Sequence, residues 1–324
     1  MSSNELVVVT HDLTKRFGDF VAVDNFNLEV TSGSIVSLLG PNGAGKTTIV
    51  RMLATLIEPT SGSATVCGHD VVREGDAVRS VLSLTGQFAA LEDNLTAAEN
   101  LMLMARLRGY SRRAAAKVTD HLIERFDIGE FRDKLVKSVS GGQRRRVDLA
   151  ASLVVMPQVL ILDEPTTGLD PRSRQVVWAT IRELVANGVT LFLTTQYLEE
   201  ADALADYIVL LDHGRATAEG TANDLKASIG DQRVDVIAAD AAGLDRLVEG
   251  LATFKLTISR EQRMVSIPAP NDVNDLAAVA SAVHDVGVEV DEIALRRPTL
   301  DDAFLALTGQ PLAPTSADLE ESLQ

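Results

Sequence analysis

Ile35-Val36-Ser37-Leu38-Leu39-Gly40-Pro41-Asn42-Gly43-Ala44-Gly45-Lys46-Thr47-Thr48 is the stretch that decides the fold. Ile35 to Leu39 is a short apolar run ending at a glycine, the pattern of a strand buried on both faces. Four residues separate Gly40 from Gly45, and Lys-Thr follows at once. A loop of this kind, between a buried strand and a helical stretch, turns its backbone N–H groups inward around phosphate oxygens, and the helix N-terminus adds partial positive charge. Gly40, Pro41, Asn42, Gly43, Ala44, Gly45, Lys46, Thr47 and Thr48 are therefore expected to enclose a nucleotide phosphate chain. Lys46 should reach the β- and γ-phosphates, and the Thr47 hydroxyl should hold Mg²⁺. By itself the loop does not separate kinases, GTPases and ATPases.

Downstream, Val159-Leu160-Ile161-Leu162-Asp163-Glu164-Pro165 places two adjacent carboxylates after four apolar residues. Such a run fixes both acids at the carboxyl edge of a parallel sheet, where ligands bind, rather than in a solvated loop. Asp163 is the natural Mg²⁺ partner, directly or through water. Glu164 is placed to orient or deprotonate a water aimed at the γ-phosphate. Thr190 to Thr195 reads as a further buried strand. Thr96-Ala97-Ala98-Glu99 has the spacing of a capping box, predicting a helix to Leu107 that stops at Gly109. Ser111 caps a second helix through about Phe126, and a third should start near Gly141 and end before Pro157.

Ser140-Gly141-Gly142-Gln143 lies 23 residues before Asp163, at the start of that third helix. Here the sequence resembles the ATP-binding subunit of ABC transporters, over about residues 5–225. The resemblance implies a P-loop ABC ATPase domain: a mostly parallel sheet core, a helical subdomain at about 88–157 and an antiparallel β subdomain. It also implies that Ser140, Gly141, Gly142 and Gln143 contact ATP bound to the opposite subunit. Phe17 corresponds to the aromatic that stacks on adenine. Gln87, in Leu84-Thr85-Gly86-Gln87, corresponds to the glutamine that reaches Mg²⁺ and the attacking water. Asp170, in Gly168-Leu169-Asp170-Pro171, corresponds to the loop that passes between subunits. The family's usual leucine before the signature serine is Val139 here.

The family normally places a histidine after the Thr190–Thr195 strand, and this chain has Gln196. An amide donates a hydrogen bond to phosphate but neither titrates nor carries charge. The segment Gln196-Tyr197-Leu198-Glu199-Glu200-Ala201-Asp202 resembles the daunorubicin-resistance branch of drug-export ATPases. So does Arg296-Arg297-Pro298-Thr299-Leu300-Asp301-Asp302-Ala303-Phe304-Leu305, which carries the resemblance to about residue 309. It implies an ATP-hydrolysing subunit that dimerises around two ATP molecules and drives a separate ABC permease, exporting amphipathic drugs or lipids. The expected catalytic set is Glu164, Gln196 and Gln87, and the Mg²⁺ set is Thr47, Gln87 and Asp163. Two alternatives stand beside this reading: a soluble ABC-type ATPase acting on the ribosome or DNA, and a weakly hydrolysing regulatory ABC subunit.

Composition narrows the classes. The 324 residues suit two domains, and Lys plus Arg number 30 against 46 Asp plus Glu, a net −16. Broad nucleic-acid binding needs a basic face, so no nucleic-acid partner is expected. Cys67 is the single cysteine and forms no intrachain disulfide, which fits a reducing compartment. Met1 to Glu5 shows no signal peptide, and the longest apolar stretch, Leu149 to Leu162, falls short of the ~20 residues that cross a bilayer. The expected place is the cytoplasm, peripheral on the inner face of the cell membrane through the permease. The charge is uneven, with a net −6 over residues 1–230 and −10 over 231–324, yet residues 100–119 hold five basic side chains and no acid. That cluster is either a solvated helix surface or a docking face for another protein.

The tail has another rhythm. Strands at Arg233–Ala238, Phe254–Ser259, Met264–Pro268 and Val288–Leu295 alternate with helices at Ala242–Leu251 and Val273–Val286, and a last helix covers Leu300–Leu307. That βαββαβ order is the ferredoxin-like arrangement. The expected domains are 1–225 for the ATP-binding part and 226–310 for the accessory module, with 311–324 a disordered tail. Trp178 and Cys67 read as packing residues.

Overall fold

A computed structural model describes residues 5–85, 91–229, 232–269 and 273–308. Gln87 and the 311–324 tail lie outside the described residues. Two compact units divide the chain, one through Ala222 and the other beginning at Asn223.

The first unit opens with the hairpin β1 (Leu6–Phe17) and β2 (Phe20–Thr31), then β3 (Ile35–Leu39) and α1 (Lys46–Leu53). It continues through β4 (Ser61–Val66), β5 (His69–Asp70), α2 (Gly75–Val81) and β6 (Leu82–Thr85). Three helices follow: α3 (Ala97–Leu107), α4 (Arg112–Arg125) and α5 (Gly141–Ser152). Then come β7 (Val159–Asp163), α6 (Pro171–Ala186), β8 (Thr190–Thr195), α7 (Leu198–Leu204), β9 (Tyr207–Asp212) and β10 (Arg215–Gly220).

These strands form two sheets. One is antiparallel, in the order β2-β1-β4-β5. The other runs β10-β9-β3-β8-β7-β6, parallel except for the β9–β10 pair at its edge. Apolar runs without alternation suit such a sheet because both faces are covered. Leu160 and Leu162 of β7 enter the core shared with α3 to α6, while Val159 and Ile161 face the core around α1 and the antiparallel sheet. The four strands of the antiparallel sheet were not assigned from sequence. Their polar and apolar residues alternate irregularly, with register shifts at Thr10/Leu13 and Leu13/Lys15, so no period of two survives along β1.

Register decides where the chemistry sits. Leu39 of β3 pairs with Thr195 of β8, and Asp163 of β7 pairs with Thr194. With strands about 4.8 Å apart, the phosphate loop, the end of β8 and the two carboxylates emerge side by side. The predicted caps are in place. Thr96 and Glu99 form a reciprocal capping box on α3, and the Ser111 hydroxyl accepts from the Ala114 N–H on α4.

The second unit comprises α8 (Ala222–Ser228), β11 (Arg233–Ala238), α9 (Ala241–Gly250), β12 (Thr257–Ser259), β13 (Met264–Pro268), α10 (Val273–Val286), β14 (Val290–Arg296) and α11 (Leu300–Thr308). Its sheet order, β12-β13-β11-β14, is antiparallel throughout and is that of a ferredoxin-like module. Val234, Val236 and Ala238 pack with Leu244, Leu247, Val279 and Val283. The units separate at 222/223 rather than 225, because the polar stretch from Glu219 ends in a helix grouped with the tail.

Candidate functional site

The phosphate loop is pinned on several sides. The Gly40 N–H donates to the Thr195 carbonyl at 3.3 Å, and the Gly214 N–H donates to the Ala44 carbonyl at 3.0 Å. Gly43 and Gly45 take φ of 84° and 105°, the left-handed region that favours glycine. A Cβ on Gly45 would lie 2.6 Å from the Ala22 carbonyl oxygen, and one on Gly40 would collide with the Leu211 carbonyl. Lys46 begins α1 and is buried. Its Nζ donates to the Gly40 and Pro41 carbonyls at 2.6 and 3.0 Å and lies 3.9 Å from Glu164 Oε1. Burial lowers the Lys46 pKa, and Glu164 and then Asp163 oppose that shift. The ammonium thus closes the loop on itself, holding carbonyls that phosphate oxygens would replace.

Asp163 ends β7. Its Oδ1 accepts a hydrogen bond from the Thr194 hydroxyl and lies 3.5 Å from Thr47 Oγ1. Glu164 adopts φ 49°, a costly conformation for a residue with a side chain and one that concentrates at functional sites. Its N–H donates to the Thr194 carbonyl at 3.0 Å, and its Oε2 accepts from the Thr167 hydroxyl at 3.2 Å. The turn sends its carboxylate back toward Lys46. Thr194 thus holds both acids from the neighbouring strand. Sequence reasoning passed over it because a threonine inside an apolar strand reads as filler.

Gln196 follows Thr195 and is half-buried, so it emerges beside the loop that Thr195 anchors. Phe17 is 51% exposed at the end of β1, with Lys15 Nζ 5.2 Å from its ring centroid. An open aromatic face there suits stacking on a flat base. The structure does not place the signature with this group. Ser140, Gly142 and Gln143 line a separate depression of about 280 Å³ with Asp127, Arg146, Arg172 and Ser173. Ser140 caps α5, accepting from the Gln143 N–H at 3.2 Å, while Gln143 Oε1 accepts from the Ser140 N–H at 3.0 Å. That reciprocal box was legible in the Ser-x-x-Gln spacing and gives Gln143 a structural task. Asp170 caps α6 and accepts from the Ser173 N–H at 2.9 Å and hydroxyl at 2.5 Å. The Ser173 hydroxyl holds the Asp170 carboxyl below its ordinary pKa.

The three arginines after the signature each meet an acid. Arg144 lies 2.6 Å from Asp93, Arg145 2.8 Å from Asp148 and Arg146 3.0 Å from Asp127. These pairs offset the repulsion between cations and a helix N-terminus. Trp178 does more than pack, since its indole N–H donates to buried Glu200 at 3.1 Å.

The ABC transporter family profile matches residues 23–167. The daunorubicin resistance ATP-binding protein DrrA3 of Streptomyces coeruleorubidus is 50% identical over 295 residues, 91% of this chain and 93% of that protein. The chain belongs to the ABC transporter ATP-binding family, in its daunorubicin-resistance branch. The doxorubicin resistance ATP-binding protein of Mycobacterium tuberculosis is 43% identical over 318 residues, 96% of each chain. Among solved structures, an ATP-binding cassette captured as a dimer after hydrolysis, with ADP and Pi bound, superposes with a TM-score of 0.60 at 25% identity. It covers 66% of this chain and 98% of its own. The matched region of the cassette contains the phosphate loop, both carboxylates and the signature. No helix among the described residues is long and apolar enough to cross a membrane.

Proposed function

We propose that this chain is the ATP-hydrolysing subunit of an exporter of amphipathic drugs or lipids, acting as a homodimer on a separate membrane permease at the cytoplasmic face of the cell membrane. The observation that carries the reading is the meeting of Lys46 and Glu164 at 3.9 Å, both buried, beside Asp163 and Thr47. ATP is the substrate of the family, and the buried cation and paired acids supply what phosphoryl transfer needs. Resistance names and whole-chain coverage among the relatives support export of drugs.

The Thr47 hydroxyl and the Asp163 carboxylate converge to 3.5 Å. A hard oxygen pair at the mouth of a phosphate loop fits Mg²⁺ completed by phosphate oxygens and water. Bound there, the ion would neutralise charge on the β- and γ-phosphate oxygens. Lys46 exchanges its two carbonyl contacts for phosphate oxygens. Glu164 accepts a proton from the water that attacks the γ-phosphorus, and ADP leaves on the opposite side. Gln196 donates its amide hydrogen to a γ-phosphate oxygen. The Ser140 hydroxyl and the helix start behind it are absent from this group, so they act on nucleotide held by the other protomer, with Asp170 at the junction. Gln87 belongs to the same proposal as the glutamine that would reach Mg²⁺ and the attacking water. Phe17 receives the adenine ring.

Arg106, Arg108, Arg112, Arg113 and Lys117 are all exposed, as is Leu107 between the first two. They favour a docking face for the permease over a bare solvated surface. The test is to co-express the chain with the membrane protein encoded beside it, capture the pair and measure ATP turnover. Capture with drug-stimulated turnover is expected. Recovery of the chain alone, with activity stimulated by ribosomes or DNA, would establish the soluble alternative.

A further inference from the structure

Behind Gln196, side chains that the expected catalytic set leaves unused form a brace between two helices. α6 presents Arg174 and Trp178 one turn apart, so both project from one face. The Trp178 indole N–H donates to Glu200 Oε1 at 3.1 Å, and the Thr166 hydroxyl donates to the same oxygen at 2.8 Å. Trp178 is 2% exposed and Glu200 is fully buried. Outside this pair, the Arg174 guanidinium lies 5.1 Å from the Tyr197 ring centroid and 3.3 Å from Glu199 Oε2. Burial raises the Glu200 pKa, and the Thr195, Thr166 and Trp178 donors oppose the shift. Every contact converges on residues 195–200, the segment that contains Gln196.

Two features separate this from ordinary packing. A buried carboxylate, even with hydrogen bonds and the attraction of Arg174 and Arg145, costs more than an apolar side chain of the same volume, and such networks fix a unique geometry. The brace also joins three parts with separate tasks. Thr166 lies two residues after Glu164, α6 is capped by Asp170, and Tyr197 adjoins Gln196.

We propose that Glu200, Trp178 and Arg174 are positioning residues that hold the Gln196 amide against the γ-phosphate and carry movement of the Asp170 end of α6 to it. The proposal rests on the reading of the chain as an ATPase with Gln196 as γ-phosphate donor. Trp178→Phe keeps an aromatic ring but removes the indole donor together with the buried five-membered ring around it, while Arg174→Met keeps the stem and removes the guanidinium. Each should lower kcat about tenfold or more, as misplacement of a reacting group by a fraction of an ångström does. The KM for ATP should stay near that of the parent. The kcat is read well below the melting temperature of each variant, because Trp178→Phe also loses stability through its cavity and the lost donor to Glu200.

The deciding measurement is a double-mutant cycle. If the brace acts through Gln196, Trp178→Phe slows a Gln196→Ala variant no further. Equal slowing in both backgrounds overturns the proposal, as does normal kcat in both single variants. A Gln196→Ala variant with parental turnover instead overturns the underlying assignment of Gln196. Because Trp178 is the single tryptophan, its emission also reports the brace directly. Adding ATP to a Glu164→Gln variant should shift that emission as the dimer forms, and dimerisation with an unchanged spectrum would refute transmission through α6.

Discussion

Gly142 of the signature faces Ser173 of α6 so closely that an added Cβ would sit 2.6 Å from the Ser173 hydroxyl oxygen. That hydroxyl is already engaged by Asp170 at 2.5 Å, so the intruder cannot simply rotate it away. The second signature glycine therefore lets two capped helix starts, α5 and α6, lie side by side. Gly142→Ala should destabilise the protein by about 1–3 kcal/mol, the cost of overpacking, and lower turnover by tilting the signature. Adding Ser173→Gly should restore much of the stability, as read by urea unfolding. Full stability in Gly142→Ala alone would show that the contact relaxes freely.

Glu164 forms an ion pair with Lys46 Nζ at 3.9 Å, and its backbone is held in a strained turn by Thr194. Glu164→Gln keeps the shape and removes the proton acceptor. ATP binding should persist while hydrolysis falls to near zero, and an ATP-bound dimer should accumulate on size-exclusion chromatography. Rapid phosphate release from this variant would strip Glu164 of its role as base.

Gln196 sits where the family places a histidine, one residue past the Thr195 carbonyl that anchors Gly40. Removing one donor aimed at developing charge typically costs about 10²–10³ in rate. Gln196→Ala should slow turnover to that extent with little change in nucleotide affinity, measured by binding of a fluorescent ATP analogue. Gln196→His should retain activity and add a titrating group at this position, so that its pH profile near neutrality differs from that of the parent.

What the sequence revealed about this site follows from how local each signal is. The phosphate loop, the Asp163–Glu164 pair and the caps at Thr96 and Ser111 are written within a few consecutive residues, and the structure has the expected strands β3 and β7 and both caps. Three tail elements, Arg233–Ala238, Met264–Pro268 and Val273–Val286, are likewise found at the predicted bounds. The contacts that make the parts a site are not local. Thr194 reaches Asp163 across 31 residues, Trp178 reaches Glu200 across 22, and Ser173 meets Gly142 through packing of two helices. A lone threonine or tryptophan carries no sign of such a partner, and only the register of β7 against β8 and the pitch of α6 bring them together.

Asp148 offers a test of the same interior by pH. It lies one turn along α5 from Arg145, 6% exposed, with Oδ2 2.8 Å from the guanidinium. Burial pushes its pKa up from 3.8 to about 6, against the pull of Arg145 and Arg144. The folded state therefore binds this proton more tightly than the unfolded chain. The stabilisation is complete below the unfolded value of 3.8 and is lost as pH rises through about 6. A two-unit shift corresponds to about 3 kcal/mol over the whole window. Asp148→Asn cannot titrate, so the stability of the parent minus that of the variant should narrow by about 1–2 kcal/mol between pH 5 and pH 7.5. Urea unfolding of both proteins at the two pH values measures it. A gap that stays flat would mean that Arg145 fully compensates the burial of Asp148, and one that widens would reverse the sign of the shift.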